Sequence, residues 1–81
     1  MLTIKILGPG CSNCRKLEAI AKQGVKLAGV EAEFIKVTDY AEIMKYPVLS
    51  TPALVIKEEV VCSGRIPSPV EVSTWIGNAQ G

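Results

Sequence analysis

At 81 residues and 48% hydrophobic composition, the chain has room for a single domain spanning residues 1–81, able to bury roughly 60% of the surface its unfolded form exposes. Nine basic residues against eight acidic leave a net charge of +1 with no block of one sign, which argues against a nucleic-acid or charged membrane-binding face. No apolar run approaches the roughly 20 residues of a membrane span. The first residues show neither a basic region nor the longer apolar stretch of a secretory signal, so a cytoplasmic monomer without a cofactor is expected.

Residues 2–7 read as a buried strand on the apolar run Ile4-Lys5-Ile6-Leu7. Gly8-Pro9-Gly10 then makes a sharp turn into Cys11-Ser12-Asn13-Cys14. Two thiols spaced this way at the start of a helix can close a disulfide with little backbone movement, and the same spacing suits metal capture. In a reducing compartment such a pair is catalytic or metal-binding more often than structural. From residue 14 a helix places Leu17, Ile20, Ala21, Leu27 and Ala28 on one face and Arg15, Lys16, Glu18, Lys22 and Lys26 mostly off it, with Gly29 as its C-terminal cap. Gly24 costs that helix about 1 kcal/mol relative to alanine, so it marks either a weak point or a close approach.

Glu33–Val37 forms the second strand, and Asp39 with Glu42 resembles a capping arrangement that opens a short helix carrying Tyr40, Ile43 and Met44 on one side. Tyr46-Pro47 ends it. Ala53–Ile56 is a buried strand, Lys57-Glu58-Glu59 a polar turn, and Val60–Ser63 the returning strand of a hairpin. On this short strand Cys62 is either a regulatory or a structural thiol; alternation puts it on the same inward face as Val60, which favours the structural role. Ser68, Pro69 and Glu71 form a capping box for a last helix with Val72, Trp75 and Ile76 on its inner face. The order is βαβαββα, with parallel pairing expected at least in part across the helical crossovers and an antiparallel pair near the end.

This order, with Cys-x-x-Cys after the first strand and Val48-Leu49-Ser50-Thr51-Pro52 running into the third, resembles the thioredoxin and glutaredoxin superfamily. It is most similar to the small, glutaredoxin-sized branch of archaeal and bacterial redox-active disulfide proteins. The resemblance covers nearly the whole chain. It implies a thioredoxin-like α/β fold with a four-stranded mixed sheet flanked by three helices, and a thiol–disulfide oxidoreductase that reduces protein disulfides. On that resemblance Cys11 is the attacking cysteine and Cys14 the resolving one. Pro52 is implied to follow a cis peptide bond after Thr51, to face the cysteines and to offer backbone groups to a substrate peptide. Only about 5–6% of X-Pro bonds in folded proteins are cis, so that expectation comes from the resemblance alone. Gly64 permits close backbone approach after the hairpin, which also keeps the groove open near Pro52.

The departures from the family pattern are informative too. Ser12-Asn13 stands where thioredoxins carry Gly-Pro, and Gly10 where they carry tryptophan. The position of their buried acid falls on Lys5, so the proton of Cys14 must use water or another group, for which Lys36 is one candidate. Arg15 and Lys16 either add positive potential near the cysteines or are ordinary solvated helix charges. Ser63-Gly64-Arg65-Ile66-Pro67 lacks the acidic partner of a glutathione site, which favours a thioredoxin-reductase-type electron donor. Two other classes stay open: a soft-metal module of the copper-chaperone kind using the same cysteines, and a non-catalytic binding scaffold. The former ends in a strand, whereas this chain ends in a capped helix.

Overall fold

The computed structural model describes residues 2–10, 12–48 and 50–80. In chain order its elements are β1 (Leu2–Leu7), α1 (Ser12–Ala28), β2 (Ala32–Val37), α2 (Tyr40–Ile43), β3 (Ala53–Ile56), β4 (Glu59–Ser63) and α3 (Pro69–Gln80). The strands form one mixed sheet in the order β2-β1-β3-β4. β1 runs parallel to β2, from Leu2 opposite Ala32 to Leu7 opposite Val37, and antiparallel to β3, with Ile4 opposite Ile56. Parallel pairing is therefore confined to the crossover through α1. The connection through α2 carries the chain to the other side of β1 and returns it in the opposite sense. Among the described residues, no helix is long and apolar enough to cross a membrane.

Strand alternation divides the core between the two faces of the sheet. Leu2, Ile4 and Ile6 of β1 join Leu54 and Ile56 of β3 against Leu17 and Ala21 of α1 and Val72 and Ile76 of α3. Leu7, Ala53 and Val55 point the other way and meet Ile43. α2 is barely one turn, so only Ile43 reaches the sheet, and Tyr40 and Met44, expected beside it, are left 68% and 66% exposed. Leu27 is likewise exposed. The stripe that α1 buries is Cys14, Leu17, Ala21 and Gly24, and at 100° per residue Leu27 lies about 80° round from Leu17.

α1 and α3 pack closely because Gly24 has no side chain. A Cβ there would stand 2.5 Å from Val72 Cγ1, 2.6 Å from Val72 Cβ and 3.2 Å from the Pro69 carbonyl oxygen. Gly24 thus marks a close approach. α1 ends at Gly29, whose φ of +70° suits a left-handed cap and whose N–H donates to the Val25 carbonyl at 3.0 Å.

The hairpin corrects one expectation. Leu54 lies opposite Cys62 but Val55 lies opposite Val60, so Val61 is an extra residue in β4. This bulge breaks the alternation. Cys62 enters the α1/α3 core, while Val60 packs against the Ile43 side of the sheet. The turn itself is only Lys57-Glu58, with Glu59 already in β4 and φ values of 53° and 65° at the two turn residues. Both side chains are anchored. Lys57 Nζ donates to the Ala79 carbonyl at 3.1 Å, and the Glu58 carboxylate lies 2.6 Å from Lys5 Nζ.

The capping box of α3 is formed as expected: the Glu71 N–H donates to Ser68 Oγ at 3.2 Å and the Ser68 N–H donates to Glu71 Oε1 at 3.4 Å. Ser68→Ala is expected to lower stability by about 1 kcal/mol in urea unfolding; no measurable loss would show that the cap is idle. At α2 only half of the arrangement appears. Asp39 accepts from the Ala41 N–H at 3.0 Å, whereas Glu42 pairs with Lys45 at 3.2 Å.

Candidate active site

Gly8, at the end of β1, is held by its N–H donating to the Val37 carbonyl at 3.0 Å. The next element brings Cys14 against it. A Cβ on Gly8 would overlap the Cys14 sulfur, and it would stand 3.5 Å from Cys14 Cβ and 3.9 Å from Pro52 Cα. The absence of a side chain at this one position leaves room for the Cys14 side chain against the backbone that follows β1, with the Pro52 backbone close by. Cys14 itself is 6% exposed, on the buried stripe of α1. Cys11, the expected attacking cysteine, lies outside the described residues, as does Leu49 of the Val48–Pro52 segment.

The Thr51–Pro52 peptide bond is cis. Pro52 is buried and Thr51 half-buried. The Pro52 carbonyl accepts from the Gly64 N–H at 2.9 Å. Gly64 has a φ of +74°, and a Cβ there would overlap Ser50 Oγ. Among the site residues expected from sequence, Cys14 and Pro52 therefore both lie beside Gly8, and Gly64 joins Pro52 through its backbone. The sequence marks Gly8 only as part of a turn: the Gly-Pro-Gly run places a residue without a side chain next to the cysteines, but nothing local says what it faces.

Beside Cys14 opens a cavity of about 280 Å³ lined by Ile6, Gly8, Gly10, Cys14, Arg15, Glu18, Lys36 and Thr38. Lys36 is 62% exposed and its ammonium lies 3.2 Å from Glu18 Oε1; Lys22, one turn further along α1, lies 3.8 Å from Glu18 Oε2. Lys5 is on the other side of the sheet. It donates to the Tyr46 hydroxyl at 2.8 Å, and its hydrogen bonds to Glu58 and then Tyr46 hold the ammonium well above the usual lysine range. The same hydrogen bond from Lys5 lowers the Glu58 carboxyl.

Cys62 lies on another edge of the core. Its thiol donates to the Arg65 carbonyl at 3.6 Å, and burial pushes it above the ordinary thiol range, opposed in part by the Arg65 charge. Arg65 also pairs with Glu71 at 2.8 Å and lies over the Trp75 ring at 5.9 Å, so this end of the molecule is occupied with packing α3. Among the described residues no three histidine, cysteine or acidic side chains converge to hold a metal ion.

Residues 2–77 match the Thioredoxin domain family. The chain is similar to a thioredoxin of Methanothermobacter thermautotrophicus, 36% identical over 72 residues that cover 89% of this chain and 94% of the relative. It is also similar to a thioredoxin of Methanocaldococcus jannaschii, 38% identical over 72 residues that cover 89% of this chain and 83% of the relative.

Proposed function

We propose that this chain, which belongs to the thioredoxin family of redox proteins, reduces protein disulfides through a dithiol/disulfide cycle of Cys11 and Cys14. The observation that carries the reading is that the Cys14 thiol and Pro52 both lie against the bare backbone of Gly8. Only a thiolate attacks a disulfide, and a cysteine at a helix N-terminus has its anion stabilised by unsatisfied N–H groups and the helix dipole. Cys11 directly precedes the first residue of α1 in the sequence, which favours it as the attacking group. It forms a mixed disulfide with the substrate. Cys14 then attacks the Cys11 sulfur, releasing reduced substrate and leaving the internal disulfide.

In this reading the backbone beside the cis Thr51–Pro52 bond receives the extended substrate chain, and Gly64, bonded to Pro52, keeps that groove clear. The partners are disulfide-containing proteins and a reductase of the thioredoxin-reductase type, acting in the cytoplasm. The test is insulin reduction with dithiothreitol as electron donor, run on wild type, Cys11→Ser and Cys14→Ser beside soft-metal titration of the reduced protein. Wild type is expected to turn over and both variants to fall to background. Cys14→Ser should accumulate a mixed disulfide, which mass spectrometry detects. Tight metal binding without turnover would establish the metal-module reading, and neither activity would leave a non-catalytic scaffold.

A further inference from the structure

Resting on the exchange reading above, we propose that Glu18 is the base that takes the proton from Cys14, and that Lys36 positions the Glu18 carboxylate for the transfer. Cys14 must become a thiolate before it can attack Cys11, yet at 6% exposure its thiol is largely withheld from bulk water. The proton therefore needs a local acceptor. Cys14 and Glu18 stand four residues apart on α1, where side chains are neighbours on one helix face, and both line the same cavity.

The ion pairs distinguish Glu18 from a surface carboxylate. Its side chain is 18% exposed, whereas Lys36 and Lys22 are 62% and 58% exposed, so the cations lie outward of the carboxylate. The other ion-paired carboxylates among the described residues, Glu58, Glu42 and Glu71, are 65%, 53% and 42% exposed. Among the described residues, α1 brings Cys14, Arg15 and Glu18 to the cavity, with Lys22 on the outer side of Glu18, and β2 brings Lys36. β1 and the turn after it bring Ile6, Gly8 and Gly10, with no ionisable side chain. Moving the proton from the thiol to the carboxylate keeps a single negative charge in the cavity. Lys36 and Arg15 accompany it before and after the transfer, so no like-charge pair is created.

The Cys14 S–H proton passes to a Glu18 oxygen, and the thiolate attacks the Cys11 sulfur of the mixed disulfide. The Cys11–Cys14 bond forms and the bond from Cys11 to the substrate sulfur breaks, with its electron pair leaving on the substrate. That sulfur takes a proton from solvent while Glu18 releases its own to solvent. Over the cycle two electrons pass from the protein dithiol to the substrate disulfide, and the external dithiol donor restores them.

The test is rapid mixing of the reduced protein with one equivalent of dithiobis(nitrobenzoic acid). Attack by Cys11 releases the first nitrothiolate and resolution by Cys14 releases the second. A thiol is largely protonated near pH 7 and ionises without help in alkali, so a base speeds the second phase near neutrality and by progressively less as the pH rises. Glu18→Gln is accordingly expected to slow the second phase roughly 10-fold or more near pH 7 and to approach wild type as the pH is raised into the alkaline range, with the first phase unchanged. Lys36→Met, which leaves the base in place, is expected to show a smaller loss with the same convergence. A second phase in Glu18→Gln that matches wild type near pH 7, or that is slowed equally at every pH, would overturn the assignment. Wild-type protein without a second phase would instead overturn the exchange reading, and this one with it.

Discussion

Gly24→Ala is expected to destabilise the protein by about 1–3 kcal/mol, although alanine is the better helix former by about 1 kcal/mol. The reason is the α1/α3 contact: the new methyl would sit 2.5–2.6 Å from Val72 Cγ1 and Cβ, and a β-branched side chain has little rotameric freedom with which to yield. The Pro69 carbonyl oxygen at 3.2 Å is backbone and closes the remaining side. A double-mutant cycle with Val72→Gly, which removes both the Cγ1 and the Cβ that the new methyl would meet, isolates the clash. The methyl at Gly24 should cost much less in that background, giving a coupling of about 1 kcal/mol or more. Gly77, on the last helix with nothing within 4 Å of an added Cβ, supplies the comparison: Gly77→Ala should stabilise by up to about 1 kcal/mol. If Gly24→Ala also stabilised in the same urea titrations, the helices would not be in contact there.

In the proposed exchange cycle, Gly8→Ala is expected to lower the rate of disulfide reduction by about 100-fold or more while the chain still folds. An alanine methyl and the Cys14 sulfur cannot occupy the same space, so the thiol must move, and a displacement near 1 Å at a reacting group is enough to cost about 100-fold. The same methyl would press toward Pro52, whose Cα lies 3.9 Å from its position. The insulin assay reads the loss, and circular dichroism with a urea titration confirms that the variant is folded under assay conditions. Activity within about threefold of wild type would mean that the contact between Gly8 and Cys14 has no bearing on resolution, because such a change lies well below the expected misplacement effect.

Local chemistry made much of the architecture legible. The strands of β1 and β3, the capping box at Ser68 and Glu71, and the cap at Gly29 all follow from interactions within a few residues. Misplaced expectations arose where the pattern depended on a partner element. Tyr40 and Met44 carry the apolar character of an inner face, but a single turn of helix can present only Ile43 to the sheet. Cys62 has the parity of Val60 in the sequence, and one inserted residue at Val61 separates them onto opposite faces. Strand parity is a local rule, and a bulge is a pairing event that only the partner strand reveals.

The candidate site divides in the same way. Cysteine spacing, the helix that follows and the proline after Thr51 are sequence facts, and by themselves they determined the order of elements, the thiol pair and the family resemblance. Tertiary structure alone decided that Cys14 and Pro52 both lie beside Gly8 and that Gly24 lets α3 approach α1. It also decided that Glu18 shares a cavity with Cys14 and Lys36. The physical reason is one of range. Periodicity, capping and turn chemistry act over one helical turn or a few strand residues, whereas close packing and the company a thiol keeps are set by side chains that arrive from distant parts of the chain.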